Sequence, residues 1–453
     1  MDQSPQPCGR QPVGFDRDGQ RCAPPPTMAE RMLPMVARSS LLQTSSRSRW
    51  ARMLLVVVGT AGVLAIWVLA GALQARHLRS TGSDFHPTSR ELLTGAAGQV
   101  AAATGPSIRI GLIAPLSGLL ASTGEAIRRG MLLAMDDVNR DAGVLGRPLA
   151  LAVEDVQNEP AAGVAALRKL VREQGIVALF GVTYSPVMLG QLDASHALQM
   201  PLINASGSVT AITRNSRTPN YAFRVAMNDE YIDEFLVRYA LEVIGARHPG
   251  IMVDATAWGE SNVSGLLDWL GQLGSAADGV ERFDQGDTNI SRQLGRLHAA
   301  RADGRLLVAN APEGAAIVRG VVSHSGASIR RFVELAGAQN TEGVLTVQTY
   351  SFVGPLTPKG EAMLQAYHAR FGARRFEEVG APIAVASGYD GVHLLAQAMR
   401  EATATAGPQV RDALEYLKPY DGLIKRCAPA FTPERHDALL AEDHFMAVWQ
   451  GAA

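Results

Sequence analysis

The pattern of apolar and polar positions divides the chain into an uncharged apolar run and a long alternation of short strands with amphipathic helices. The run extends from Met53 to Leu73 and, as a helix, has roughly the length of a bilayer's hydrocarbon core, about 30 Å. Beyond it, Ile108–Ile113 predicts a strand, and apolar positions three to four residues apart over Gly124–Asn139 predict a helix. The alternation continues to a helix predicted over Glu313–His324. Such alternation predicts an α/β protein with parallel sheets flanked by helices.

The apolar run sets the predicted organisation of the N-terminal part. Residues 1–52 are rich in proline and arginine and are predicted to be a disordered cytoplasmic segment, or to precede the true start of translation. Residues 53–73 are predicted to be a transmembrane anchor or a cleaved signal peptide, and the arginines that precede them favour a cytoplasmic N-terminus. Residues 74–107 are predicted to be a linker. The following domain is therefore expected in the periplasm, anchored to the inner membrane or released.

Residues 108–450 are too many for a single core, so the domain is predicted to form two lobes with a hinge between them. The first lobe is predicted over about 108–224 and 348–416, and the second over about 227–347 and the C-terminal tail. Ligands of parallel sheets bind beyond the carboxyl ends of the strands. The loops expected to surround the cleft are those after Ile113, Phe180, Ile203, Val253 and Ala309.

Composition and motifs exclude several classes of function. The formal net charge is −1 and the basic residues are scattered among acids, which argues against nucleic-acid binding. We find no GxSxG, HExxH, P-loop or GxGxxG pattern, so no enzymatic activity, cofactor or metal is predicted. The histidines, His324 among them, lack metal-ligand spacing and are predicted to lie on helix faces or at the surface.

Several long runs resemble the type I periplasmic binding proteins of the branched-chain amino acid transporter family. They begin with "IRIGLIAPLSGLLASTGEAIRRGMLLAMDDVNRDAGVLG" and continue with "ALFGVTYSPV", "MPLINASGSVTAIT", "YAFRV", "DATAWGESN" and "SGYDGVHLLAQAM". The resemblance implies a solute-binding component of an ABC-type transporter. Such a protein binds a small amino acid, amide or organic acid between its lobes by hinge closure, and its partner is an ABC permease in the inner membrane. The binding domain is predicted to be monomeric.

The residues after two predicted strands suit an anion. Ser185-Pro186 stands where a strand ends and a helix begins, so its N–H groups and the helix dipole favour a carboxylate, unless Ser185 only caps the helix. The resemblance implies that Ser185 holds the ligand carboxylate. It also implies that the loop of Gly207 and Ser208 offers a carbonyl to an ammonium and a hydroxyl to the carboxylate, although an ordinary turn remains the alternative. From the second lobe, Trp258 is implied to close over the ligand, and Tyr184 is predicted to line the cleft; simple packing remains open for both.

Three departures from the family change the predicted ligand. Thr123 stands where amino-acid binders often have an aromatic residue, and Asn310-Ala311 replaces a usual aromatic pair. The stretch Arg331–Gly343 is shorter than in the family and lacks the loop that supplies an acid for the ligand ammonium; Glu334 is the candidate substitute. Because a buried ammonium without a counter-charge is costly, a carboxylate or amide is expected. The alternative function is a membrane-tethered sensor or scaffold with a degenerate ligand site.

Overall fold

The computed structural model describes residues 105–157, 159–181, 184–317 and 320–450, together with the short strand Met35–Arg38. These residues belong to one compact unit. Within this part of the chain, no helix is long and apolar enough to cross a bilayer. The predicted apolar run Met53–Leu73, most of the linker 74–107 and most of residues 1–52 lie outside the described residues. Their predicted roles therefore stay predictions.

The first lobe is built on a parallel five-stranded sheet. In spatial order its strands are Leu149–Asp155, Ile108–Ala114, Ala178–Gly181, Leu202–Asn204 and Ala222–Arg224. The strand Ile108–Ala114 is buried at every position except Arg109, as expected where helices cover both faces of a parallel sheet. The α-helices of this lobe are Ala121–Arg140, Pro160–Lys169, Ser185–Ala197, Pro358–Phe371, Pro382–Ala402 and Gly407–Glu415.

The second lobe is built on a seven-stranded sheet. In spatial order its strands are Met35–Arg38, Phe445–Gln450, Leu345–Gln348, Val321–Ser323, Gly304–Val308, Pro249–Asp254 and Gly279–Phe283. Neighbouring strands run parallel, except that Phe445–Gln450 is antiparallel to Leu345–Gln348. The α-helices of this lobe are Asp229–Arg238, Ala257–Gln272, Ser291–Ala299, Ala311–Gly314, Arg330–Ala336 and Ala338–Thr341. The two sheets confirm the predicted two-lobed α/β fold.

Shorter elements complete the described chain. Two α-helices continue into π-helical turns, Leu170–Gln174 and Tyr239–Ile244. Single 3₁₀ turns occur at Thr210–Ile212, Ser325–Ser328, Phe376–Val379 and Ala441–Asp443. The short strands Tyr420–Asp421 and Arg426–Cys427 form a separate antiparallel hairpin.

The core of the first lobe is centred on the helices Ala121–Arg140 and Pro382–Ala402, which cross at glycines. A Cβ atom at Gly130 would stand 2.0 Å from the Val385 carbonyl oxygen, and one at Gly388 would stand 2.4 Å from the Ile127 carbonyl oxygen. Side chains at these two positions would force the helices apart. The close crossing fixes the N-terminal end of the helix Pro382–Ala402, where Ala381, Ile383 and Ala384 line part of the interlobe cleft.

The structure corrects the prediction of a helix over Glu313–His324. A helix of only four residues, Ala311–Gly314, is followed by the strand Val321–Ser323. This strand pairs with its neighbours on both sides and is buried at each position. Its Val-Val-Ser run is too short to show a period, so sequence pattern alone did not separate it from the preceding helix. The correction moves His324 from a helix to the end of a strand.

Candidate functional site

A cleft between the two lobes is lined by loops at the carboxyl ends of strands from both sheets. The first lobe contributes Leu119, Leu120, Thr123, Ile127, Tyr184, Ser185, residues 205–208, Ala226, Met227, Ala381, Ile383 and Ala384. The second lobe contributes Trp258, Asn310, Ala311, Pro312, His324, Ser325, Gly326, Ser328 and Ile329. Six of the seven predicted site residues are thus brought together; the exception is Glu334.

Ser185 lies on the first-lobe wall at the start of the helix Ser185–Ala197. The structure places Tyr184, not Ser185, at the N-cap, because the Tyr184 carbonyl accepts the N–H groups of Val187 and Met188. Ser185 is instead the first helical residue and is buried. Its hydroxyl oxygen accepts the Val209 N–H at 3.4 Å, which leaves the hydroxyl hydrogen available to a ligand.

The loop of Gly207 and Ser208 faces Ser185 across the first-lobe wall. The Gly207 carbonyl accepts the Asn204 side-chain amide at 2.6 Å and an Arg224 N–H at 3.4 Å, so it is turned into the protein. This corrects the implied role of that carbonyl as an ammonium acceptor. A Cβ atom on Gly207 would stand 3.4 Å from the Ser185 hydroxyl oxygen, so the two segments are in contact distance.

Trp258 lies on the second-lobe wall in the first turn of the helix Ala257–Gln272. The helix is capped by Thr256, whose hydroxyl accepts the Trp258 N–H at 3.2 Å. The indole ring packs edge-on against the Tyr184 ring, with centroids 6.0 Å apart, and against the His324 ring, with centroids 5.0 Å apart. Three rings from two lobes therefore form one aromatic cluster beside the cleft.

The Tyr184 hydroxyl makes polar contacts across the cleft. It donates to the Asp254 carboxylate and accepts the Asn310 side-chain amide at 3.2 Å, and both of these residues belong to the second lobe. Asp254 also accepts the Thr256 hydroxyl at 2.7 Å and the Gly259 N–H at 3.1 Å. Burial raises the pKa of the Asp254 carboxyl to about 6 against the opposing Thr256 and Gly259 hydrogen bonds, and the charge of Glu313 adds to the increase.

Sequence reasoning missed the loop from His324 to Ile329. His324 was expected on a helix face or at the surface, whereas its side chain is buried and lines the cleft. Its Nδ1 accepts the Ser325 N–H at 2.8 Å, and its Nε2 lies 3.4 Å from a carboxylate oxygen of Asp229. The available signal was the position of His324 directly after a buried strand, which the incorrect helix concealed.

Glu334 does not line the cleft, which corrects its candidacy as the ammonium partner. It lies on the helix Arg330–Ala336 with an exposed side chain. Its two carboxylate oxygens contact Arg330 at 3.1 Å and Arg331 at 3.3 Å, which are exposed helix pairs of the kind that contributes little stability.

The lining of the cleft is mainly apolar, with polar groups set among the apolar side chains. Among the described lining residues there is no Asp, Glu, Lys or Arg, and the polar groups are hydroxyls, peptide groups, one amide, one imidazole and one indole N–H. Thr123 adds a half-buried hydroxyl from the helix Ala121–Arg140. No group of three or more potential metal ligands occurs within the described part of the chain. The arrangement offers hydrogen-bond donors to an oxygen-bearing solute beside an apolar wall.

Comparison with known proteins identifies the family to which this fold and cleft belong. A family model described as periplasmic binding protein matches residues 107–452. A Leu/Ile/Val-binding protein from Rhizobium johnstonii is 26% identical over 235 residues, which make up 52% of this chain and 63% of that relative. The chain thus spans less than two thirds of that curated relative's length.

Solved structures show the same fold. The branched-chain amino acid transporter substrate-binding protein LivJ from Streptococcus pneumoniae, in complex with isoleucine, superimposes with a TM-score of 0.66 and 21% identity. The alignment covers 77% of this chain and 97% of that one. An ABC transporter solute-binding protein from Rhodopseudomonas palustris, in complex with 3,4-dihydroxybenzoic acid, gives a TM-score of 0.63 and 18% identity, covering 73% and 90% of the two chains.

Proposed function

We propose, from the premise that the chain belongs to the periplasmic binding protein family, that it captures a small solute between its lobes in the periplasm and delivers it to an ABC-type permease. The observation that carries the proposal is the cleft itself. Hydroxyl groups of Ser185 and Ser208 stand on one lobe, and Trp258 and His324 stand on the other. Closure of the lobes around a solute would bury it between these walls.

We infer that the solute presents a carboxylate or a carbonyl and carries no ammonium group. The described lining supplies hydroxyl and peptide N–H donors, chiefly at Ser185 and Ser208, but no carboxylate. An ammonium in this cleft would lose its hydration without a carboxylate in the lining to pair with, whereas a carboxylate can be held by neutral donors. The aromatic cluster and the side chains of Leu120, Ile127 and Met227 favour an apolar body next to the polar group.

The two solved relatives provide the first probes. LivJ is in complex with isoleucine, an amino acid with an ammonium group, and the Rhodopseudomonas palustris protein is in complex with 3,4-dihydroxybenzoic acid, which has none. The uncharged lining favours the second kind of ligand. Aromatic monocarboxylates and small amides are accordingly the solutes that we propose for this cleft.

A thermal-shift screen of the full chain tests the proposal. The screen should include 3,4-dihydroxybenzoate, benzoate, small amides, isoleucine, leucine and valine. A ligand at 100 times its dissociation constant adds about 2.7 kcal/mol of stability, which raises the melting temperature by a few degrees. Small-angle scattering with the best hit should show compaction. No stabilisation by any of these solutes, or an unchanged radius with a saturating hit, would contradict capture by hinge closure.

A further inference from the structure

Arg224 lies fully buried at the end of the last first-lobe strand, directly behind the loop of Gly207 and Ser208. One terminal nitrogen of its guanidinium donates to the carbonyls of Ser208 and Met227. The other donates to the Val209 carbonyl at 2.9 Å and the Thr213 hydroxyl at 2.7 Å. A single planar cation thus binds both the loop that lines the cleft and Met227, where the chain crosses to the second lobe.

The charge of Arg224 is balanced by Asp437. Arg224 Nε lies 2.8 Å from an Asp437 carboxylate oxygen, and both side chains are excluded from water. The pair is reinforced by the backbone, because the Arg224 N–H donates to the His436 carbonyl and the Ala438 N–H donates to the Arg224 carbonyl. Asp437 also accepts the Asn228 side-chain amide at 3.1 Å, so the pair reaches the N-cap of the helix Asp229–Arg238.

These contacts determine the direction of the loop's peptide groups. The Gly207 carbonyl points inward, to Asn204 and Arg224. In a planar trans peptide the next N–H points the opposite way, so the Ser208 N–H is directed away from Arg224. Ser208 lines the cleft, and the neighbouring Val209 N–H is held by the Ser185 hydroxyl. The carbonyls of this loop therefore face Arg224, and the Ser208 N–H is left on the side of the loop that faces the cleft.

We propose that Arg224 is the positioning residue of this site: by binding the loop carbonyls, it turns the Ser208 N–H and hydroxyl toward the oxygen of a bound carboxylate or carbonyl. It does not contact the solute itself. The inference rests on the proposed function for the identity of the solute, but the orientation of the loop is present in the protein without a bound solute. Because the same guanidinium binds the Met227 carbonyl, the loop and the crossing to the second lobe are held as one assembly.

Two variants of the full chain test this role. Arg224→Lys keeps the positive charge but lacks the planar guanidinium group, which can donate to several acceptors at once. Asp437→Asn removes the balancing charge and keeps the shape. The control is Asn139→Ala, which removes two buried hydrogen bonds to the Leu149 backbone in the first lobe and leaves the cleft untouched. The control reports the effect of lost stability alone.

The first measurement is hydrogen–deuterium exchange of ligand-free protein. Exchange over residues 205–210 should be faster by about tenfold or more in Arg224→Lys and Asp437→Asn and parental in Asn139→Ala. Parental exchange of this segment in either folded variant would overturn the inference. If neither variant folds, Thr213→Val takes their place, because it removes one hydroxyl that accepts from the Arg224 guanidinium and leaves no new charge buried. Parental exchange over residues 205–210 in that variant would also overturn the inference.

The second measurement is affinity, with 3,4-dihydroxybenzoate and isoleucine as the probes. For a probe that the parent binds, the dissociation constant should rise by about tenfold or more in Arg224→Lys and stay parental in Asn139→Ala. Equal losses in both variants would mean that Arg224 acts only through stability. If the parent binds neither probe, the affinity is measured with the best hit of the thermal-shift screen, and the exchange experiment by itself decides the role of Arg224.

Discussion

Tyr184 of the first lobe donates its phenolic hydrogen to the carboxylate of Asp254 in the second lobe. The same phenolic oxygen accepts the amide of Asn310, also in the second lobe. Tyr184 is one of the residues that line the cleft, and its ring packs against Trp258. Its hydroxyl, however, is already used by the opposite lobe, so this group contributes to contact between the lobes.

Tyr184→Phe should therefore weaken lobe closure. The variant keeps the ring that packs against Trp258 and loses both polar contacts to the second lobe. Each lost hydrogen bond costs about 1 kcal/mol, and the Asp254 carboxylate oxygen that loses the Tyr184 donor adds to the cost. With the best hit of the screen at a subsaturating concentration, small-angle scattering should show a larger radius of gyration for the variant than for the parent. The affinity of the variant for that ligand should be about tenfold lower.

Tyr350→Phe is the matched control for this experiment. Tyr350 is buried in the first lobe, and among the described residues its hydroxyl has no hydrogen-bond partner. The control should bind ligand like the parent. If Tyr184→Phe also behaves like the parent in both measurements, the Tyr184 contacts do not help to hold the lobes together.

A second prediction concerns pH. The folded pKa of Asp254, about 6, is above the ordinary value near 4, so the folded state binds more protons than the unfolded state between these two values. This group therefore makes the free energy of unfolding fall as pH rises from about 4 to about 6. Relative to the parent, Asp254→Asn should gain stability over this window, by on the order of 2 kcal/mol.

Chemical denaturation at a series of pH values measures this difference. Burial lowers the pKa of His393 and of His444 to about 4, which makes stability rise with pH in the same range. Both histidines are present in parent and variant, so the difference between the two curves isolates Asp254. A constant difference between pH 4 and pH 7 would show that Asp254 has an ordinary pKa.

Much of the site was predictable because parallel sheets place the ends of their strands at one edge. On this ground alone the sequence predicts the loops after Ile113, Phe180, Ile203, Val253 and Ala309, and residues that follow each of the five strands line the cleft. The helix predicted over Gly124–Asn139 is also found in the structure, because an amphipathic period over more than four turns is difficult to confuse with a strand.

The second-lobe wall was less predictable, for two physical reasons. The strand Val321–Ser323 has only three residues, and its burial depends on neighbours that are distant in sequence. The pairing of Glu334 with arginines on its own helix was visible as helical spacing, but nothing in the sequence showed which way that helix faces. The inward orientation of the Gly207 carbonyl depends on a hydrogen bond from Arg224. Arg224 lies on a later strand, so this contact exists only in the folded protein.

Loss of the Ser185 hydroxyl or of the Ser208 hydroxyl should reduce affinity without unfolding the protein. Ser185→Ala and Ser208→Ala are each expected to weaken binding of an anionic or amide ligand by roughly 1–3 kcal/mol, about tenfold or more. Titration calorimetry measures the affinity, and melting temperature controls for stability, because Ser185 also accepts the Val209 N–H. Parental affinity in both variants would show that the ligand oxygen is held elsewhere.

Glu334→Gln should leave binding unchanged. The side chain is exposed and contacts Arg330 and Arg331, so the variant is expected to change stability by no more than about 0.5 kcal/mol. The dissociation constant of every ligand found in the screen should match that of the parent. A selective loss of binding to amino acids would return Glu334 to the role of ammonium partner.

The last prediction concerns the charge that the cleft accepts. Ser325 lines the cleft from the second lobe, so Ser325→Asp places a carboxylate in a lining that has none among its described residues. The variant should bind isoleucine more tightly than the parent does, because its ammonium gains a counter-charge, and should bind 3,4-dihydroxybenzoate more weakly through repulsion. Ser325→Asn, which is similar in size and uncharged, should change the ratio of the two affinities much less. If the parent already prefers isoleucine and the aspartate does not alter the ratio, the neutral donors and carbonyls of the parental cleft hold an ammonium, and the inferred preference for uncharged or anionic solutes is wrong.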